Sequence, residues 1–89
     1  MAFERVGVVG AGQMGSGIAQ VVAAHLLPVV MIDTQSSSLD RGIQTIGKSC
    51  DRLIKKEKMT DREKQELLSR IKCSVELEDL RDCDLVIEA

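Results

Sequence analysis

Eighty-nine residues suffice for one small domain and not for two. With 44% apolar and 29% charged residues the composition is globular, and a net charge of −2 gives no electrostatic reason for a nucleic acid or anionic membrane partner. Phe3 is the single aromatic, which excludes base-stacking platforms, and no apolar run approaches the roughly 18 residues of a membrane span.

Arg5 to Val9 reads as a buried parallel strand, followed at once by Gly10-Ala11-Gly12-Gln13-Met14-Gly15 in the spacing G-x-G-x-x-G. From Met14 to about His25 the pattern turns helical, and Met14, Ile18, Val21 and Val22 are predicted to face inward. A glycine triplet between a strand and a helix implies a cradle for a dinucleotide pyrophosphate. Gly10 permits the turn out of the strand, Gly12 leaves room for phosphate oxygens to meet backbone, and Gly15 lets helix and strand approach closely. The free N–H groups at the helix start would then face the anion, and Gly10, Ala11, Gly12, Gln13, Met14 and Gly15 are the expected cofactor-binding positions here.

Val29 to Ile32 forms the second strand, preceded by Pro28, which fits only where no ladder N–H is required. Asp33 follows, 21 residues beyond Gly12, at the distance where an acidic side chain holds an adenosine ribose hydroxyl. Its charge repels a 2′-phosphate and no arginine follows it closely, so NAD is expected over NADP. Ser36 to Ser38 supply candidate N-caps.

Leu39, Ile43, Ile46, Cys50 and Leu53 advance by four, three, four and three, one face of a long helix reaching about Lys58. Thr60-Asp61-Arg62-Glu63 has the form of a capping box, starting a further helix that carries Leu67, Leu68 and Ile71. Ile71 to Ser74 reads as a third strand, Leu77 to Leu80 as a helical turn or loop, and Leu85 to Ile87 as a fourth strand. The alternation predicts an α/β, Rossmann-type parallel sheet of about four strands in the order 3-2-1-4, with a helical hairpin between strands 2 and 3. Glu88 and Ala89, at the carboxyl end of strand 4, should border the cofactor. Strand 4 would then be an unpaired apolar edge, so residues 1–89 are expected to be a partial dinucleotide-binding domain.

Gly10-Ala11-Gly12-Gln13-Met14-Gly15-Ser16-Gly17-Ile18-Ala19-Gln20, Asp33, the helical hairpin and Asp84-Leu85-Val86-Ile87-Glu88-Ala89 resemble the 3-hydroxyacyl-CoA dehydrogenases, over nearly the whole chain. That family includes 3-hydroxybutyryl-CoA dehydrogenases and the dehydrogenase part of multifunctional β-oxidation proteins. The resemblance implies NAD-dependent oxidation of (S)-3-hydroxyacyl-CoA to 3-oxoacyl-CoA, in β-oxidation or butanoate metabolism. It also implies a histidine–glutamate pair in a catalytic and dimerising domain beyond these residues. No catalytic residue is therefore assigned within the chain, and His25, at the end of the first helix, is not taken as one.

The same resemblance places Ser49 and Lys56 where the family contacts coenzyme A. Helical geometry is compatible: Gly42, Ser49 and Lys56 are seven apart and form one column with about 10 Å between members. Gly42 and Ser49 are small enough to leave room for a ligand, and Lys56 is a point charge for a CoA phosphate. One departure is Leu26, which stands where family members usually carry a glycine ending the first helix; leucine pays a steric penalty in that left-handed conformation.

Cys50, Cys73 and Cys83 are odd in number and show no metal-ligand spacing, which points to reduced thiols, an intracellular location with cytoplasm favoured, and no metal. A strand pattern beginning so near Met1 leaves no room for an N-terminal targeting peptide. Two other readings compete: a non-catalytic nucleotide-binding or interaction module from a truncated product, and a related dehydrogenase of another hydroxy acid. The basic helix bearing Lys55, Lys56 and Lys58 argues against the latter.

Overall fold

The computed structural model describes residues 4–89. Four short strands, β1 (Val6–Val9), β2 (Val29–Ile32), β3 (Ile71–Ser74) and β4 (Leu85–Glu88), form one parallel sheet in the order β3-β2-β1-β4. Helix α1 (Gln13–Ala24) links β1 to β2, and the hairpin α2 (Ser36–Lys55) and α3 (Asp61–Ser69) links β2 to β3. A 3-10 turn at Leu77–Leu80 leads to β4. The predicted order and hairpin are both present.

Strand alternation divides the sheet into two faces. Val8, Val29, Met31 and Ile71 share one buried cluster with Ala19 and Ala23 of α1, Leu39, Ile46 and Cys50 of α2, and Leu67 of α3. All three helices therefore cover the same face, as right-handed crossovers leading from β1 to β2 to β3 require. Enclosing a side chain such as Ile46 completely is worth about 2–3 kcal/mol. On the opposite face Gly7 leaves the space into which Leu80 packs; a Cβ there would lie 2.5 Å from Leu80 Cδ2. At the sheet edge β4 pairs with β1 alone, and Leu85 and Val86 are exposed.

The inward face of α1 differs from the predicted one. Met14 is 69% and Val21 58% exposed, while Gly15, Ser16, Ala19 and Ala23 are buried and Ile18 and Val22 lie partly buried at the margin. The reason is close approach: a Cβ on Gly15 would sit 1.8 Å from Gly10 O, so only small residues fit beneath the helix where it leaves the turn.

Helix α2 starts at Ser36 with Gln35 as its N-cap, so Ser36 to Ser38 are helical residues and not caps. Asp33 Oδ1 instead accepts the Gln35 N–H at 3.1 Å. The helix ends at Lys55, before the predicted limit, because the chain reverses through Glu57 at φ 58°. There Glu57 N–H donates to Ile54 O at 3.0 Å and Lys58 N–H to Leu53 O at 2.9 Å, the paired bonds of a Schellman motif. The capping box is complete, with Glu63 N–H donating to Thr60 Oγ1 at 3.1 Å and Thr60 N–H to Glu63 Oε1 at 2.9 Å. Ile71 opens β3 and does not belong to α3.

Leu26 adopts φ 66°, the left-handed conformation in which leucine pays a steric penalty, so this helix end is strained and not remodelled. Its N–H reaches Ala23 O at 3.0 Å, and Arg70 Nη1, arriving from the end of α3, donates to the same carbonyl at 3.0 Å. Two donors thus satisfy the Ala23 carbonyl at the C-terminal end of α1.

Candidate functional site

The glycine turn lies at the carboxyl ends of the strands. Gly10 takes φ 111°, where an L side chain is strained, and its N–H donates to Ile32 O at 2.7 Å, fastening the turn to β2. Ala89 N–H donates to Val9 O at 2.9 Å, and a Cβ on Gly10 would stand 3.0 Å from Ala89 O, so Ala89 is a direct neighbour of the turn. Gly12 is the N-cap of α1 with no side-chain capping bond. A Cβ on Gly12 would meet nothing within 4 Å. Packing within the described residues does not require glycine there, and the space beside it is open.

Gly12, Gln13 and Met14 are exposed, and among the described residues no protein acceptor takes their N–H groups. Three amides at a helix start, with the positive end of the dipole behind them, suit an anion. Ala11 sits differently from these three. It is buried, and its N–H is already taken, donating to Asp33 Oδ2 at 3.0 Å.

Asp33 therefore serves the turn from both oxygens, Oδ2 toward Ala11 and Oδ1 toward Gln35. The Gln35 and Ala11 N–H bonds, in that order, hold its carboxyl below the usual carboxylate range, against a smaller opposing effect of burial. The group stays ionised and partly exposed, with lone pairs left for a hydroxyl donor. The Arg41 guanidinium adds a minor stabilising field. No arginine follows Asp33 closely in sequence, but Arg41, eight residues on in α2, is near enough for its charge to act on the carboxylate.

Two clefts flank the turn. One of about 320 Å³ is lined by Val9, Gly10, Ile32, Asp33, Thr34, Val75 and Leu77. Val75 and Leu77 are exposed apolar residues that the sequence reading did not single out; their signal was two apolar side chains just past the carboxyl end of a strand. The other, about 300 Å³, lies between α1 and α2, lined by Gly12, Gln13, Ser16, Ser38, Arg41 and Thr45 among others. A larger cleft of about 420 Å³ lies where Arg5, Pro28 and Arg70 precede their strands, at the other end of the sheet from the glycine turn.

Ser49 and Lys56 are set apart from the glycine turn. Ser49 is half-buried, facing α1, where its Oγ accepts from Gln20 Nε2 at 2.9 Å. Lys56 is exposed at the C-cap of α2. Gly42 does not leave room for a ligand: a Cβ there would lie 3.1 Å from Ala11 O and 3.2 Å from Met31 Cε, so its space is filled by the glycine turn and the core. His25 sits at the opposite end of α1 from the turn, with Nδ1 2.8 Å from Val21 O. Cys50, Cys73 and Cys83 are free, and burial pushes the Cys50 thiol up. Among the described residues no three His, Cys, Asp or Glu side chains form a metal-binding group, and no helix is long and apolar enough to cross a membrane.

Residues 5–89 match the family described as 3-hydroxyacyl-CoA dehydrogenase, NAD binding domain. The chain is similar to a 3-hydroxybutyryl-CoA dehydrogenase of Bradyrhizobium diazoefficiens, at 46% identity over 97% of this chain and 29% of that protein. It is also similar to a fatty acid oxidation complex subunit alpha of Psychrobacter, at 40% identity over 98% of this chain and 12% of the relative. Among solved structures, an (S)-3-hydroxybutyryl-CoA dehydrogenase from Ralstonia eutropha superposes with a TM-score of 0.96 at 49% identity, over 99% of this chain and 31% of that one. The chain spans less than a third of the length of these relatives.

Proposed function

The chain belongs to the 3-hydroxyacyl-CoA dehydrogenase family, matching its NAD-binding domain, and on that premise we propose that it forms the cofactor half of an enzyme oxidising (S)-3-hydroxyacyl-CoA to 3-oxoacyl-CoA. The carrying observation is the exposed amide row of Gly12, Gln13 and Met14 beside an ionised Asp33. Bound there, NAD supplies the hydride acceptor.

The chain's own residues bind and orient. The Gly12, Gln13 and Met14 N–H groups hold the pyrophosphate oxygens. Asp33 accepts from a ribose hydroxyl while keeping its bond to Ala11, so Ala11 acts by fixing that carboxylate. Gly10 and Gly15 set the turn's shape, Ala89 borders it, and the cleft beside Val75 and Leu77 takes the adenine. Ser49 and Lys56 contact the coenzyme A of the substrate, Lys56 through a phosphate.

We place the acid–base pair outside residues 1–89, together with the surface for homodimerisation. His25, the single histidine, lies at the far end of α1 from the amide row, which supports that division. Acyl-CoA is the partner proposed, with no nucleic acid or membrane. The location proposed is a reducing, intracellular compartment, cytoplasmic by preference, supported by three free cysteines.

Calorimetric titration of NADH into the folded chain tests the reading: one saturable site is expected, and a folded chain that binds none overturns it. Acetoacetyl-CoA-dependent oxidation of NADH by the 89-residue chain alone would refute the placement of the acid–base pair elsewhere.

A further inference from the structure

Gln13 and Ser16 on α1 and Arg41 and Thr45 on α2 face each other across the 300 Å³ cleft, and one turn farther along each helix, beyond the cleft's lining, the two polar rows continue with Gln20 and Ser49. The rows touch at one point, where Gln20 Nε2 donates to Ser49 Oγ at 2.9 Å.

The three hydroxyls in these rows are used differently. Ser16 donates to Gln13 O at 3.2 Å and Thr45 to Arg41 O at 2.9 Å, each returning its proton to its own helix. Ser49 accepts from the neighbouring helix, and among the described residues no protein acceptor takes its O–H. A hydroxyl carries one donor and two acceptor positions. With the Gln20 amide occupying an acceptor position, the Ser49 proton has no acceptor among the described residues and remains available to be donated.

We propose that Gln20 is a positioning residue for substrate binding: its amide fixes Ser49 Oγ as an acceptor, so that the Ser49 O–H is presented as a donor to the coenzyme A moiety. This rests on the reading of Ser49 as a coenzyme A contact. Gln20 is two turns along the helix whose first turn carries the amide row, so α1 sets the position of both subsites as one rigid element.

Coenzyme A is the probe, titrated into the 15N-labelled chain and followed by amide shifts, with NADH titrated separately. Ser49→Ala is expected to weaken coenzyme A about 10-fold, the loss of one hydrogen bond. Gln20→Glu offers only acceptors, so Ser49 turns its proton inward and affinity falls by a similar factor, while Gln20→Met, which merely releases the hydroxyl, costs about 3-fold. NADH affinity stays within about 2-fold for both Gln20 variants, since the amide row is untouched. On the Ser49→Ala background, Gln20→Glu should cost nothing further.

If Ser49→Ala weakens coenzyme A while both Gln20 variants bind as the parent does, the positioning role fails and the Ser49 contact stands. An equal loss from Gln20→Glu with and without Ser49 marks simple charge repulsion and also overturns it. Unchanged affinity in Ser49→Ala, or no coenzyme A binding by the parent chain, removes the contact itself and this inference with it.

Discussion

Asp33 Oδ2 accepts the backbone N–H of Ala11 at 3.0 Å, so the acidic residue after β2 clamps the glycine turn between β1 and α1 before any ligand arrives. Its other oxygen holds Gln35 at the start of α2. One carboxylate thereby fixes three elements around the site.

That clamp carries a pH signature. The Asp33 carboxyl is held below its ordinary value, so the folded state binds its proton less readily than the unfolded chain. The stabilisation is complete above the ordinary aspartate range and is lost as pH falls through the depressed folded value, on the acid side of about pH 4. Thermal melts between pH 6 and 3 should fall more steeply for the parent than for Asp33→Asn, whose neutral amide has no such linkage. Parallel curves would show that the clamp contributes nothing.

Two glycines of the turn should separate binding from stability. Gly12→Ser puts a good N-cap where a Cβ meets nothing within 4 Å, so the melting temperature is kept or raised slightly while NADH affinity drops at least about 10-fold. Gly15→Ala forces a Cβ to 1.8 Å from Gly10 O and should cost about 3 kcal/mol, visible as a melting temperature lower by roughly 12 °C or more. Calorimetry and thermal melts read both.

Leu26→Gly should stabilise the chain by about 1 kcal/mol, since φ 66° penalises leucine and suits glycine. The exposed leucine loses little burial when removed. Urea denaturation measures the gain, and NADH affinity should not change, because the turn lies at the other end of α1.

Lys56→Glu should weaken coenzyme A about 10-fold, with the loss shrinking as salt is raised, and leave NADH binding as it was. Salt-independent affinity in both chains would remove the phosphate contact.

Much of this molecule was legible from local pattern. The strand, turn and helix alternation, the four-strand order and the Thr60–Glu63 cap each depend on residues within a few positions of one another, or on rules of chain handedness. Gly10 was readable for a related reason: sterics at a single backbone position limit what it can adopt, whereas Leu26 stood out only against the family's usual glycine. The amphipathic face of α2 could be read because a wide apolar stripe leaves one choice of direction.

The tertiary structure decided what depends on distance across the fold. Periodicity told that α1 has a buried side, but close approach to Gly10 O selected Gly15, Ser16, Ala19 and Ala23 over Met14 and Val21. Gly42 looked like space for a ligand until Ala11 and Met31 filled it. The bonds from Asp33 to Ala11 and from Gln20 to Ser49 join residues 22 and 29 positions apart. Sequence alone determined that this chain builds a dinucleotide cradle, because glycine spacing and strand–helix order are local constraints. Which amides remain free to bind, and which side chains hold the site in shape, followed only from packing, because hydrogen-bond partners so far apart are chosen by three-dimensional proximity.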